Sequence, residues 1–305
     1  MKPILGIHHI TSIVGNPQEN VDFYRDVLGL RLVKKTVNFD DPQTYHLYFG
    51  NESGDPGTII TFFPWDGARR GVIGNGQVGV TSYAIPTGAL EFWERRFSDL
   101  KINYNKEVRF NETVICFNDP HGLKLELVEY ETNKRNNWIQ KDISKEFAII
   151  GFAGATLYSA NRQGTKELLI NHFGYEEVKD ENNVTRVRSR ANIGNRIDIF
   201  DAGINGEMGS GTVHHIAFRN ENDKNQQEWM DHLFNIGLRT TPVKDRNYFK
   251  SIYFNEPGNI LFEMATDGPG FTVDESFESL GMHLMLPSQY EVHRDIIVEK
   301  LLAIK

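Results

Sequence analysis

The sequence predicts an α+β fold assembled from four copies of one βαβββ module. Three observations lead there. A short alternating strand followed by a helix-like stretch opens four separate segments, and three strand-like runs follow the first of them in clear order. Later segments close on β-rich runs, such as Leu123-Lys124-Leu125-Glu126-Leu127 and Asn259-Ile260-Leu261-Phe262-Glu263-Met264.

The first module opens on Gly6-Ile7-His8-His9-Ile10-Thr11-Ser12-Ile13-Val14, an alternating strand. A helix entry follows: Asn16 can cap, Pro17 takes the first helical position, and Glu19 lies three residues after the cap. Val21, Tyr24 and Leu28, with Phe23 and Val27, make one apolar face, and Gly29 can end the helix. Strands are then expected over Arg31 to Asn38, Tyr45 to Phe49 and Thr58 to Phe63. The second module begins at Val78-Gly79-Val80-Thr81-Ser82-Tyr83 and has a helix around Ala89 to Asp99. The third begins at Ala153-Gly154-Ala155-Thr156-Leu157-Tyr158, has a helix around Thr165 to His172 and ends on Arg196-Ile197-Asp198-Ile199-Phe200. The fourth begins at Thr212-Val213-His214-His215-Ile216-Ala217-Phe218, continues with a helix from Asn222 to Ile236 and a strand at Ser251 to Asn255, and closes on Asn259 to Met264. Charged joints at Glu131 to Asn137 and Asp201 to Gly211 read as linkers. The expected division is residues 4–132 for modules one and two, 146–267 for three and four, and 268–305 for a tail. That tail starts at the turn Gly268-Pro269-Gly270-Phe271. It carries a helix from Gln289 to Ala303, with Ile296, Ile297, Leu301 and Leu302 as its apolar residues, expected to close a site or an interface. A repeat of roughly 60 to 75 residues is too short to bury a good core alone, so the modules should pair.

Composition narrows the function. The 305 residues are 39% hydrophobic and 24% charged, as in ordinary globular proteins. The single cysteine, Cys116, rules out a disulfide framework and any cysteine-based zinc site, and fits a reducing cytosol. No apolar run approaches the roughly 18 residues that a membrane span needs, and the opening residues do not read as a signal peptide. The expectation is a soluble, cytoplasmic protein with no membrane partner. A net charge of -8 without a clustered basic stripe argues against nucleic acid as partner. Small molecules are the better expectation, and homo-oligomerisation stays open.

The fourth module carries the first chemical signal. His214 or His215 on one strand and Glu263 on another strand of the same small sheet supply two members of a facial 2-His-1-carboxylate set, the arrangement suited to non-haem Fe(II) with open positions. The missing histidine must come from elsewhere. Adjacent residues of a regular strand face opposite sides, so only one of His8 and His9, and one of His214 and His215, can ligate. The other member of each pair reaches the same side only if its strand twists or bulges.

The βαβββ units, the opening His8-His9-Ile10-Thr11, the helix Asp22-Phe23-Tyr24-Arg25-Asp26-Val27-Leu28-Gly29-Leu30, and the runs Asp119-Pro120-His121-Gly122 and Glu256-Pro257-Gly258-Asn259 together resemble the vicinal oxygen chelate superfamily of glyoxalase, bleomycin resistance and extradiol dioxygenase proteins. Within it, the chain is most similar to bacterial ring-cleaving dioxygenases that act on hydroquinones. The resemblance implies that paired modules curl into two cup-shaped half-barrels, one with metal and one vacant. Aligning the modules on Thr11, Thr81 and Thr156 places Gly79 and Gly154 opposite His9. Counting six residues from each turn proline aligns Glu263 with Glu126 and Phe62. Pairing modules one and four, as this family implies, brings His9, His215 and Glu263 to one metal. It also implies active-site roles for His8, Thr11, His214, Arg246 and Tyr253, with His214 as acid/base. The other histidines, His46 and His121 among them, have no usable partner spacing.

The implied activity is Fe(II)-dependent opening of a hydroquinone-like aromatic ring with O2 by 1,2-cleavage. Mn(II) also suits the ligands, and Zn or Ni could substitute without activating O2. Two alternatives remain: a glyoxalase-like metal-dependent isomerase or lyase, which needs one more ligand where Phe62 aligns, and a non-catalytic protein that sequesters a small aromatic.

Overall fold

The computed structural model describes residues 2–305. Module one comprises β1 (Ile7–Val14), α1 (Pro17–Val21), a π-helical turn (Asp22–Val27), β2 (Arg31–Asn38), β3 (Asp41–Gly50) and β4 (Ile59–Pro64). Module two comprises β5 (Gln77–Ile85), α2 (Leu90–Asp99), β6 (Tyr104–Arg109), β7 (Glu112–Asn118) and β8 (Lys124–Glu129). Module three comprises β9 (Gly151–Tyr158), α3 (Arg162–Asn171), β10 (Glu176–Glu181), β11 (Val184–Arg188) and β12 (Arg196–Phe200). Module four comprises β13 (Thr212–Asn220), α4 (Asp223–Asn235), β14 (Lys244–Asp245), β15 (Lys250–Asn255) and β16 (Leu261–Thr266). The fold class is α+β, with the four modules in the expected order.

The entry to α1 forms as its residues dictate. The Asn16 side chain accepts the backbone N–H groups of Gln18 and Glu19, and Pro17 begins the helix. The continuation differs from the regular helix expected there, since Leu28 N–H reaches back five residues to the Phe23 carbonyl. The wider turn leaves Phe23 and Tyr24 buried and Val27 only partly so.

The strands form two curled eight-stranded half-barrels, ordered β14-β15-β16-β13-β1-β4-β3-β2 and β10-β11-β12-β9-β5-β8-β7-β6. The first joins modules one and four through antiparallel β1–β13, and the second joins modules two and three through β5–β9. One continuous apolar core runs between them, and Tyr24, Phe62, Trp93, Phe173 and Trp229 are among its members. Each such side chain contributes about 1.5–3 kcal/mol when fully buried. The joint from Asp201 to Gly211 is more than a linker. It pairs with the crossing segment at residues 71–75 through Gly71 N–H to Ser210 O (2.9 Å), Val72 N–H to Glu207 O (2.9 Å) and Asn75 N–H to Ile204 O (2.7 Å).

Register across β1–β13 sets the chemistry. Ile7 pairs with Phe218 and His9 with Ala217, so His8 is an extra residue on β1. Thr11 pairs with His215 and Ser12 with Val213, so His214 is an extra residue on β13. These two bulges are related by the pseudo-two-fold of the cup and re-aim the side chains beside them. The same two bulges occur in β5–β9, at Gly79 and Ala153.

This register corrects the sequence alignment by one residue. Val80, not Gly79, stands at the place of His9, and Ser82, not Thr81, at that of Thr11. Thr11 pairs with Thr61 on β4 as Ala217 pairs with Glu263 on β16, so Thr61, not Phe62, is the counterpart of Glu263. Glu126 and Asp198 hold the equivalent positions in the other cup. There, Arg109 and the Ser82 hydroxyl engage Glu126, Arg186 grips Asp198 through two bonds (2.7 and 2.8 Å), and Arg186 and Arg196 share Glu112. A side chain at Gly154, the counterpart of His215, would meet the Arg196 carbonyl at 2.1 Å, so no ligand can stand there. Burial pushes the Cys116 thiol beside this cup up to about 12, which keeps it protonated at neutral pH.

The tail also departs from expectation. Residues Ser288–His293 form a 3-10 helix and only α5 (Arg294–Lys300) is α-helical. Ile297 and Leu286 pack on Val37, whereas Ile296 is 56% exposed and Leu302 46%. The part of the tail that fills the cup of modules one and four lies earlier. Phe271 and Leu280 pack with Val33, Tyr48, Ala217, Tyr248 and Phe249. Lys34, wholly buried, anchors this segment through Asp274 and Glu275, both at 2.6 Å.

Candidate metal centre

His9 on β1, His215 on β13 and Glu263 on β16 are all buried and converge on one point. His9 Nε2 lies 3.3 Å from His215 Nε2 and 3.2 Å from Glu263 Oε2, and His215 Nε2 lies 2.8 Å from the same oxygen. Ligands occupying neighbouring octahedral corners at roughly 2.1 Å from an ion are roughly 3.0 Å apart. The three atoms are therefore spaced so that one ion could touch all of them. Glu263 Oε2 is fully buried yet has no hydrogen bond of good geometry, despite two imidazole nitrogens close by. The three groups aim at a shared centre, not at one another. Glu263 Oε1 accepts the Ser251 hydroxyl, which turns the carboxylate so that Oε2 is the free donor.

Electrostatics agree with a cation site. Burial works against the Glu263 carboxylate, yet His9 and His215 hold its pKa well below the usual range. Burial lowers His215, with Glu263 opposing. Glu263 is left as a buried anion beside two imidazole nitrogens.

The bulges bring each remaining histidine against a triad member. His8 Nδ1 lies 2.9 Å from His9 Nδ1, and His8 Nε2 lies 3.1 Å from the Thr266 carbonyl. His214 Nδ1 lies 2.7 Å from His215 Nδ1. The two differ in outlook: His214 lines the cavity in front of the triad, while His8 stands behind His9 against Phe249. Burial, then His9, holds His8 well below the ordinary imidazole value, and burial with His215 lowers His214 to about 3. Both rings are neutral.

The cavity has a volume of about 190 Å³ and is walled by Phe39, Phe63, Trp65 and Phe249. A cavity of about 150 Å³ suffices for benzene. Thr11 lies on its wall, as do Arg246 and Tyr253. Tyr253 pairs with Glu263 across β15–β16, and its ring meets that of His215 edge-on at 5.5 Å. Arg246 Nε approaches the Tyr253 hydroxyl at 3.4 Å, and its Nη2 reaches Asp40 of the β2–β3 hairpin at 3.2 Å. Burial first, then Glu263, raises Tyr253, so its hydroxyl stays protonated.

Sequence spacing missed Ser251, Phe249, Asp40 and His46. Ser251 had a signal: it lies two residues before Tyr253 on one strand and so shares its face. His46 shares a face of β3 with Tyr48, two residues on, but its other partner, Thr61, comes from β4 and left no local signal. His121, in the other half, accepts the Gly15 N–H at 3.3 Å and belongs to a turn.

Comparison with known proteins gives concordant findings. Residues 6–127 match the Glyoxalase/Bleomycin resistance protein/Dioxygenase superfamily. A Bacillus subtilis (strain 168) protein named "Putative ring-cleaving dioxygenase MhqO" is 57% identical over 302 residues, covering 99% of this chain and 97% of that one. The "Chlorohydroquinone/hydroquinone 1,2-dioxygenase" of Sphingobium indicum is 33% identical over 303 residues, covering 95% of this chain and 94% of that one. A crystal structure of a "putative dioxygenase" from Bacillus subtilis subsp. subtilis str. 168 superposes with a TM-score of 0.99 at 56% identity, covering 100% of this chain and 99% of that one.

Proposed function

The chain belongs to the glyoxalase/bleomycin resistance protein/dioxygenase superfamily, and from that footing we propose that it is an Fe(II)-dependent dioxygenase. It opens hydroquinone-like aromatic substrates with O2 by 1,2-cleavage, and it works in the cytoplasm. The observation that carries this reading is the meeting of His9, His215 and Glu263 at the end of a cavity with aromatic walls and the size of a single ring. The relative named for chlorohydroquinone and hydroquinone supports the substrate class.

When bound by the two imidazoles and the carboxylate, Fe(II) supplies the electron exchange between an aromatic ring and O2 that the two cannot make directly, and Mn(II) suits the same donors. The protein residues do the rest. His215 bound through Nε2 carries its proton on Nδ1, and that proton goes to His214 Nδ1. His214 then holds its own proton on Nε2 and faces the cavity as a proton donor. The same logic sends the His9 proton to His8 and the His8 Nε2 proton to the Thr266 carbonyl, so His8 orients His9 and does not touch substrate. Arg246 offsets negative charge that develops on the oxygens, and Tyr253 donates a hydrogen bond to them. Phe39, Phe63, Trp65 and Phe249 hold the ring and exclude water.

A glyoxalase-like isomerase would need another ligand opposite Glu263. Thr61 stands there, and its hydroxyl is engaged with Thr11 and His46. The test is O2 uptake by anaerobically Fe(II)-loaded protein with hydroquinone, methylhydroquinone and catechol. Uptake fastest with the hydroquinones is expected, whereas no uptake by protein carrying one iron per chain would sink the proposal. At saturating Fe(II), His214→Ala is expected to lower kcat by about 10²–10⁴. Equal turnover in that variant would remove His214 from proton transfer.

A further inference from the structure

The wall of the metal-bearing cup contains a hydrogen-bonded line that the chemistry above leaves unused. His46 sits on β3, its ring packed against those of Tyr48 (centroids 4.0 Å apart) and Phe63 (4.5 Å). Its Nδ1 lies 2.8 Å from the Tyr48 hydroxyl and its Nε2 lies 2.8 Å from Thr61 Oγ1. Thr61 donates in turn to Thr11 Oγ1 at 2.8 Å. Four side chains on β3, β4 and β1 thus make one line from Tyr48 to Thr11; Tyr48, His46 and Thr11 all border the cavity, Tyr48 with its surface almost wholly covered.

We propose that His46 is a positioning residue which, acting through Thr61, fixes the direction of this line so that Thr11 presents a hydroxyl proton, not a lone pair, to an anionic oxygen in the cup. The inference rests on the dioxygenase reading only for the identity of that oxygen, the phenolate of an aromatic substrate.

Direction follows from the buried end. Tyr48 is 1% exposed, and His46 Nδ1 is the only hydrogen-bond partner of its hydroxyl among the described residues. A proton on Nδ1 would turn that hydroxyl into a buried donor with no acceptor, which is costly. Nδ1 therefore accepts. Burial, followed by the nearby His9 and His215, holds His46 well below the ordinary imidazole value, so the ring is neutral and its one proton is on Nε2. That proton goes to Thr61 Oγ1, Thr61 donates to Thr11, and Thr11 keeps its own proton for the cavity. Packing between Tyr48 and Phe63 prevents the ring from turning over. Thr61 occupies the place that Glu263 holds in module four, so the position opposite the carboxylate ligand has become part of a donor line.

Nitrogen-15 NMR of the Zn(II)-loaded, 15N-histidine-labelled protein reads the tautomer without turnover, with His46→Phe assigning the signals. The proton is expected on Nε2, and Tyr48→Phe is expected to give a mixture of tautomers. A wild-type ring protonated on Nδ1 would overturn the proposal. In turnover, Thr61→Val should lower kcat about tenfold while KM stays within about twofold, and Thr61→Ser should restore the rate. The double variant Thr11→Val with Thr61→Val should be no slower than Thr11→Val alone, because both cut the same line. Losses that multiply would mean Thr61 does not act through Thr11, and the proposal would fail. If the wild type opens no aromatic ring, the dioxygenase reading fails separately, and the tautomer alone then decides the direction of the line.

Discussion

Glu263→Ala is expected to abolish metal retention and ring opening together. The carboxylate is the only negative charge in the triad, and two neutral imidazoles alone hold a divalent cation far more weakly. Loss of a residue that merely orients a ligand costs about 10–100-fold in metal affinity. Removal of the ligand itself should exceed that, with turnover falling below detection. Ser251→Ala supplies the graded comparison, because it removes the hydroxyl that turns Glu263 Oε2 toward the shared centre. Its metal affinity should fall by about 10–100-fold, with kcat recovering at saturating Fe(II). Metal content after gel filtration, with a titration of activity against added Fe(II), checks both. Full iron retention by Glu263→Ala would show that the metal is held elsewhere.

Lys34→Ala is expected to produce a large loss of stability. The Lys34 side chain is fully buried, pairs with Asp274 and Glu275 at 2.6 Å each, and lies 5.1 Å from the centroid of the Tyr248 ring. Glu275 is itself 7% exposed, so removal of the ammonium leaves a buried carboxylate with only the Gly281 and His283 N–H groups and the exposed His283 ring about it. Breaking a buried pair from one side costs about 3–5 kcal/mol. Urea denaturation should report that loss as a lower midpoint at nearly unchanged slope. The consequence reaches the metal centre, because Lys34 anchors the segment carrying Phe271 and Leu280. That segment packs with Phe249, which in turn meets the rings of His8 and His9 at 5.1 and 4.9 Å. Proteolysis between residues 268 and 286 should accelerate in the variant. A stability loss under 1 kcal/mol would mean that the tail is held by its apolar contacts alone.

Much of this was legible in the chain. Repetition of one strand–helix–strand pattern exposed the modules, and only modules one and four keep a histidine at the ligand place; that these two would meet came from the family resemblance. The alignment slipped by one residue at Thr81 because it matched residue type, threonine to threonine, where Ser82 holds the place, and at Phe62 because the turn from Pro56 to β4 is one residue shorter than those after Pro120 and Pro257. The bulges at His8 and His214 leave no mark in an alternation of apolar and polar residues. Those same bulges explain how neighbouring histidines can touch through Nδ1 when a regular strand would point them apart. His46 could not be placed, since only the β3–β4 register brings Thr61 beside it and only the β4–β1 register joins Thr61 to Thr11. Lys34 reads in sequence as the solvated face of a strand. It is buried because the tail lays Asp274 and Glu275 over it, a long-range pairing that local pattern does not encode. The tail helix was expected to close the cup or an interface; in the cup it is Phe271 and Leu280 that pack, and α5 lies on the outer strand at Val37.

The most direct test of the central claim is mass analysis of the product formed from hydroquinone by the Fe(II)-loaded protein under oxygen-18-labelled O2. A ring-opened product carrying both labelled atoms, absent with His215→Ala, is the predicted result. A product with unchanged oxygen content, or label arriving from water alone, would contradict dioxygenase chemistry at His9, His215 and Glu263.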